Sequence, residues 1–369
     1  MLYDGSATWE YDGASWREAV TPTVPAPRRD CALAYDSARG AAVLFGGLRT
    51  DIGEVLADTW EYDGTDWRET LPPTSPLRGF RPPMAYDSAL GADVEFDGYV
   101  DERGTSASAN GVTWEFRDGS WTRVLPPLSP VLDALGAMAY DSARGVAVLV
   151  GWAEVAGSET GETWEWDGAS WREVATSDFP SLRDYFWTVY DSARRVVVLF
   201  GGSDATSPAA PSLADTWEYD GTAWTQARTP GAPRPRMEYA MAYDSARRVV
   251  VLFGGRHAAT DTGCFGDTWE YDGVHWRQVY PAASPSAREG SAAAYDPVRH
   301  VVVLFGGAAF MPSGDGTYFD DTWEYDGTTW TQIPTTTQPP AMEDHTMTWD
   351  ESLDAVVLFA GVTWEYFGP

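Results

Sequence analysis

Six residues, TWEYDG, recur through this chain and constrain what it can fold into. They stand complete at Thr8–Gly13, Thr59–Gly64, Thr216–Gly221, Thr268–Gly273 and Thr322–Gly327, with looser copies beginning at Thr113, Thr163 and Thr363. A second block lies inside each period: AYDSAR or a variant of it, then an apolar run such as VVVLFGG. Its tyrosine falls at 35, 86, 140, 190, 243 and 295, and Trp349 takes the same place in the last copy. A period of about 50 residues means one supersecondary unit stacked many times.

Each unit reads as four short strands. Strand a ends in AYD (Ala240–Tyr243), DSAR turns the chain, and strand b is an apolar run (Val249–Phe253). After Gly254-Gly255 comes a loop, then strand c (Thr268–Tyr271); Asp272-Gly273 leads into strand d, marked by Trp276. Asp-Gly and Gly-Gly pairs supply the positive φ that tight reversals require. The apolar segments are short, β-branched or aromatic and bounded by turn residues, so no helical period competes. The expected fold class is all-β: a seven-bladed β-propeller of four-stranded antiparallel blades. The units fill residues 1–369 without a linker, so one closed domain is expected.

The glycine doublet, the Asp-Thr-Trp that opens strand c and the Tyr-Asp-Gly turn followed by a tryptophan resemble the kelch repeat. The closest resemblance is to bacterial kelch proteins and the galactose-oxidase propeller. It covers essentially the whole chain and implies a propeller without implying one activity. In galactose oxidase, copper is held by two Tyr and two His, with one Tyr cross-linked to Cys. This chain has four His: His300 belongs to an a–b turn, His275 to strand d, and His257 and His345 have no ligand motif beside them. No copper residue is carried over, and neither a metal nor another cofactor is expected.

Seven a–b blocks and seven strand-d tryptophans (Trp16, Trp67, Trp121, Trp171, Trp224, Trp276 and Trp330) fix the blade count. The last a–b block, Thr346–Gly361, has no strand d after it, while the chain opens with a c–d pair lacking a and b. The N-terminal segment is therefore expected to complete the seventh blade. Strand c has one surplus copy; Thr8–Tyr11 is favoured for the slot over Thr363–Tyr366 because Asp12-Gly13 ties it to Trp16. Closure removes open sheet edges, and a monomer is expected.

The formal net charge is −30, much of it multiplied by the repeat. Such a surface repels phosphate backbones, so nucleic acid is not an expected partner. No apolar run approaches the roughly 20 residues of a membrane span, so membrane insertion is not expected either. Met1 leads into repeat-like sequence without a signal peptide: a cytoplasmic protein if Met1 is native, a secreted or surface one if cut from a longer precursor. Two cysteines, Cys31 and Cys264, make no disulfide framework.

The a–b and c–d turns are short and uniform, whereas the b–c and d–a connections are long and differ in every blade. Binding sites live on variable loops held by a rigid scaffold, so the b–c/d–a face and the channel mouth are the expected site. The repeats also align the chain against itself: a residue present in every blade is scaffold, and one that departs in a single blade is a candidate. By this test Arg28, Arg183, Arg236 and Arg288 count mostly as scaffold.

Three departures stand out. In blade 2 the apolar run carries Asp93, Glu95 and Asp97, which strand alternation places on one face. Buried carboxylates must be paired, wet or functional, and pairing with Arg78, Arg81, Arg103 or Arg117 outweighs a catalytic Asp97 and Glu95. In blade 4, strand a opens with Tyr185, Phe186 and Trp187, where Ala32, Ala137, Ala240 and Ala292 hold the position of Trp187. With Phe80 and Tyr239 these could line the mouth as a stacking surface, or Trp187 could plug the channel. The third is a polar rim at the start of strand a: Asp30, Arg81, Asp133, Asp184, Glu238, Glu289, Glu343, Asp344 and His345. Asp30, Asp344 and His345 could do acid–base work; solvated loop charge is the simpler account.

Two functions follow. The leading one is a recognition propeller that binds a glycan, small molecule or protein partner on the loop face, through Tyr185, Phe186, Trp187, Tyr239, Phe80, Arg81 and Glu238. The alternative is a cofactor-free enzyme, a lyase or isomerase working through Asp97, Glu95, Asp30, Asp344 and His345.

Overall fold

In the computed structural model every assigned element is a strand. The description covers residues 8–11, 16–19, 21–26, 28–29, 31–36, 40–49, 54–70, 83–97, 112–117, 120–132, 134–155, 158–207, 210–257, 263–310, 316–334, 341, 343, 346–350 and 355–359. Seven four-stranded antiparallel sheets form the blades. Numbered from the first complete copy, their inner strands a are Ala32–Asp36, Met84–Asp87, Ala134–Asp141, Trp187–Asp191, Ala240–Asp244, Ala292–Asp296 and Thr346–Asp350. Each inner strand lies beside the next, and that of blade 7 returns to that of blade 1, closing a ring about a central channel.

Blade 5 illustrates the common register: Ala240 opposes Phe253, Val250 opposes Tyr271, and Tyr271 opposes Trp276. Strand b is apolar at consecutive positions because both its faces are buried between blades. Val250 and Leu252 pack backward with Val198 and Phe200 of blade 4, while Val251 and Phe253 pack forward against Val302 and Leu304 of blade 6.

The consensus residues bolt one blade to the next. In each of the five described cases the indole N–H of the strand-d tryptophan is buried and donates to the TWE threonine of the preceding blade. The pairs are Trp121 to Thr59, Trp171 to Thr113, Trp224 to Thr163 at 2.7 Å, and Trp276 to Thr216 and Trp330 to Thr268 at 2.8 Å. A second bolt runs through the DSAR arginine. Arg144 pairs with Asp141 at 2.6 Å and with Glu165, and that glutamate accepts from Tyr219 of blade 4 at 2.6 Å. Arg247, Glu270 and Tyr325 repeat the pattern between blades 5 and 6.

Blade 7 closes as the strand inventory requires. Glu10 pairs with Val357 and Tyr11 with Val356, so Thr8–Tyr11 fills the strand-c slot and Trp16–Ala19 is strand d. The rival copy Thr363–Tyr366 lies outside the described residues. One expected loop is a strand instead: in blade 3 the ladder runs on through Trp152↔Gly161 to Val155↔Ser158. Blades 1, 4, 5 and 6 break strand b at a glycine doublet with two positive φ values, such as Gly254 (71°) and Gly255 (91°). Blade 3 has Gly151-Trp152 there, so the strand continues.

The junction of blades 2 and 3 lacks the second bolt. Leu90 replaces the arginine and Trp166 replaces the tyrosine; the two pack in one apolar cluster, and the buried Trp166 indole nitrogen makes no hydrogen bond. Glu115 is left with Arg117 at 4.0 Å, and burial raises its pKa. A carboxyl raised in the folded state favours the protonated fold. The penalty is absent below the ordinary carboxylate pKa and fully present above the raised one, so stability falls as pH rises between them. Leu90→Arg with Trp166→Tyr supplies both missing donors; the double variant should melt higher than the parent, with a wider gap at pH 7 than at pH 4. Deleting residues 1–20 should abolish cooperative unfolding, because an open ring exposes strand edges; a truncated chain that melts like the parent would overturn the closure.

Candidate functional site

Four blades build their loop face on one buried arginine. Arg28, Arg183, Arg236 and Arg288 are fully buried. Each forks onto the aspartate that precedes the TWE motif: Asp58, Asp215, Asp267 or Asp321. Each also donates to the first carbonyl of the glycine doublet at 2.9 Å. The same aspartate accepts from the TWE indole, as in Trp217 to Asp215 at 2.6 Å. Hydrogen bonding and charge from Arg183 outweigh burial and hold Asp215 below the usual carboxylate range. These arginines are scaffold.

That anchor, with the glycine doublet, brings the b–c loop against the start of strand a. A Cβ on Gly255 would meet the Met237 carbonyl at 2.7 Å, so only glycine lets the two backbones come this close. The residue after the doublet, Arg256, exchanges backbone hydrogen bonds with Met237 at 2.9 Å both ways, while Gly255 N–H donates to the Arg288 carbonyl at 2.8 Å. Arg256 is thereby set between the openings of blades 5 and 6. Its Nε meets Glu238 Oε2 at 2.7 Å and Glu289 Oε2 at 2.8 Å, and one terminal nitrogen donates to Glu238 Oε1 at 3.2 Å. Hydrogen bonding to Glu238 is the largest influence on Arg256 and raises its pKa, so it stays cationic.

Trp187 opens the inner strand of blade 4, which lies beside that of blade 5, and Tyr185 stands two residues before it. Tyr185 and Glu238 occupy equivalent positions and both adopt the left-handed backbone, at φ 53° and 55°; Gly290 does so in blade 6 at 61°. Non-glycine residues held there are strained, and such strain gathers at functional sites. Trp187 is 39% and Tyr185 43% exposed. A channel plug would be buried; Trp187 instead rests edge-on against Tyr239, centroids 5.8 Å apart.

The remaining candidates separate. Tyr239 is 1% exposed: its hydroxyl donates to the Phe200 carbonyl and accepts from the Trp187 backbone N–H at 3.4 Å, so it supports Trp187 rather than facing a ligand. Phe186 is turned into the core against Trp152, centroids 5.5 Å apart. Glu95 and Asp93 are buried at 1% and 0%, on the register of Trp114 and Phe116, whose cluster includes Val43 and Phe45 of blade 1. They lie between blades, not at the mouth, and both have hydrogen-bonding or electrostatic partners. Asp97 ends the same strand opposite Val112. Of the arginines weighed as partners, Arg117 goes to Glu115, and Arg78, Arg81 and Arg103 lie outside the described residues. So do Asp30, Phe80, Asp133, Asp344 and His345.

Cys264 donates to the Ala308 carbonyl at 3.7 Å, and burial pushes its thiol up to about 11, which leaves it protonated and unreactive at neutral pH. Cys31 and Cys264 form no disulfide. Among the described residues no group of acidic, histidine or cysteine side chains is arranged to hold a metal.

The sequence reading passed over Arg256. The self-alignment could have found it: the residue after the doublet is Leu48, Ser203 and Ala308 elsewhere.

Replacing Glu95→Leu and Asp97→Gly restores the consensus of the other blades. Repacking a buried ionic site with apolar groups is often neutral or stabilising, by about 1–4 kcal/mol. Thermal melts should show an equal or higher midpoint, and ligand binding should be unchanged; lost binding with a raised midpoint would return these acids to the site.

A family model described as the KLHDC2/KLHL20/DRC7 Kelch-repeats domain matches residues 143–361. A solved structure titled "Structure of YjhT" is similar in fold, with a TM-score of 0.50 and 12% identity over 94% of this chain and 94% of that one. No curated protein matches.

Proposed function

The chain belongs to the Kelch-repeat family, whose domain model matches more than half of it, and on that premise we propose that it is a recognition propeller. It binds a glycan, a small molecule or a protein partner at the channel mouth on the b–c/d–a face. The observation that carries this reading is the exposed pair Tyr185 and Trp187 at the opening of an inner strand, where four other blades place alanine at the position of Trp187. Exposed aromatic rings on a rigid strand give large contact area at low conformational cost.

Binding is favoured over turnover by the state of the neighbouring acids. Glu238 and Glu289 are both engaged on Arg256, so neither stands ready to exchange a proton with a substrate. The same groups suit a positioning role, in which a fixed donor orients what the rings hold.

The test is a thermal-shift screen of a glycan set and a metabolite library against the parent and Trp187→Ala. A ligand that stabilises the parent should lose on the order of 1–2 kcal/mol of binding in the variant, about 5- to 30-fold in Kd. The unliganded melting temperatures should be close, because the ring is exposed. Equal affinity with a lowered melting temperature would make Trp187 a structural residue and remove the mouth as the site.

A further inference from the structure

We infer that the mouth of blades 4 to 6 takes an uncharged sugar chain, with Arg256 as the donor that orients a ring stacked on Trp187 and Tyr185. This rests on the reading that the mouth is the binding site, and it names the class of ligand.

The assignment follows from which groups a ligand meets. The carboxylates of Glu238 and Glu289 have side chains only 13% and 7% exposed, whereas the Arg256 side chain is 35% exposed. Of the guanidinium nitrogens, Nε and one terminal nitrogen go to the acids. The other terminal nitrogen, Nη1, makes no hydrogen bond among the described residues. It offers two N–H donors on the opening of blade 5, where Trp187 rests against Tyr239, the residue that follows Glu238. The accessible surface is therefore donor plus π-face, with the acceptors behind it.

Three ligand charges can be weighed against that arrangement. A cationic ligand would meet the guanidinium before it reached either carboxylate. An anionic ligand would find the guanidinium already paired with two carboxylates, leaving the cluster net negative, on a chain of formal charge −30. An uncharged ligand meets neither objection. It needs acceptor oxygens for Nη1 and an apolar face for the rings, and a pyranose has both: hydroxyl and ring oxygens at its edge, C–H groups on its faces. The two acids do for Arg256 what a second layer of hydrogen bonds does for any binding group: they fix the plane of the fork before the ligand arrives. Arg256 is thus a positioning donor, held in a geometry that a lysine could not copy.

The experiment titrates the full chain with uncharged hexasaccharides of glucose, mannose, galactose and N-acetylglucosamine, and with uronic-acid hexasaccharides of the same length. It follows tryptophan fluorescence and calorimetry at 50 and 500 mM NaCl. At least one uncharged hexasaccharide should bind, with a Kd that changes less than twofold between the two salt concentrations. Trp187→Ala should weaken it about 5- to 30-fold, and Arg256→Lys about tenfold or more. Because truncating Arg256 leaves two acids uncompensated, the pair Arg256→Gln with Glu289→Gln serves as the charge-balanced control and should show the same loss with a near-parental melting temperature. Binding of the uronic chains alone, weakened by salt and by Trp187→Ala, would keep the mouth as the site and overturn the uncharged class. Sugar binding that ignores both Trp187 and Arg256 would overturn the site itself, and binding of none of these sugars would overturn the sugar assignment.

Discussion

A buried indole N–H must find an acceptor, because leaving it unsatisfied costs about 1–3 kcal/mol. In this ring the strand-d tryptophan finds its acceptor in the preceding sheet: Trp224 donates to Thr163 and Trp276 to Thr216. Neither residue can satisfy the other within one blade. A single blade is thus incomplete, and completing it requires the blade before it. The Arg–Glu–Tyr chain does the same with charge, since Glu165 takes a guanidinium from its own blade and a hydroxyl from the following one. Apolar faces of strand b would pack against any neighbour of suitable size; these directional bonds set the spacing and angle of the next blade.

Because the consensus residues are consumed in this way, function falls to positions the repeat does not specify. The scaffold arginines and the glycine doublet bring the b–c loop against the start of strand a, and whatever stands at those two places in a given blade is forced together. In blades 5 and 6 they are Arg256, Glu238 and Glu289. The glycine doublet matters here as steric permission, since a Cβ on Gly255 or Gly307 would meet a carbonyl oxygen at 2.7 Å.

Departures from the repeat do not all mean the same thing. Leu90 and Trp166 depart together and keep their junction filled by apolar packing, at the expense of Glu115. Asp93 and Glu95 depart within a blade interface and stay buried. Trp187 departs at an inner-strand opening and stays exposed. Identical logic flags all of them in the sequence; the environment that separates structural substitution from accessible surface is tertiary.

The propeller, its seven blades, most strand boundaries and closure by the N-terminal segment were legible in the sequence, because they follow from period, alternation and strand inventory, whereas the choice of Thr8–Tyr11 over Thr363–Tyr366 was favoured there and not decided. These are local or countable properties of the chain. The scaffold role of Arg236 was legible too, through its recurrence. Tyr239 and Phe186 looked like ligand-facing aromatics and are supports, since strand period assigns a side chain to a face without saying whether a neighbouring blade covers that face. Arg256 was missed because its partners come from elsewhere in the sequence, Glu238 eighteen residues before it and Glu289 in the next blade. Only the packing of blade 6 on blade 5 brings the opening of one against the loop of the other, and that approach decided which charges neutralise one another.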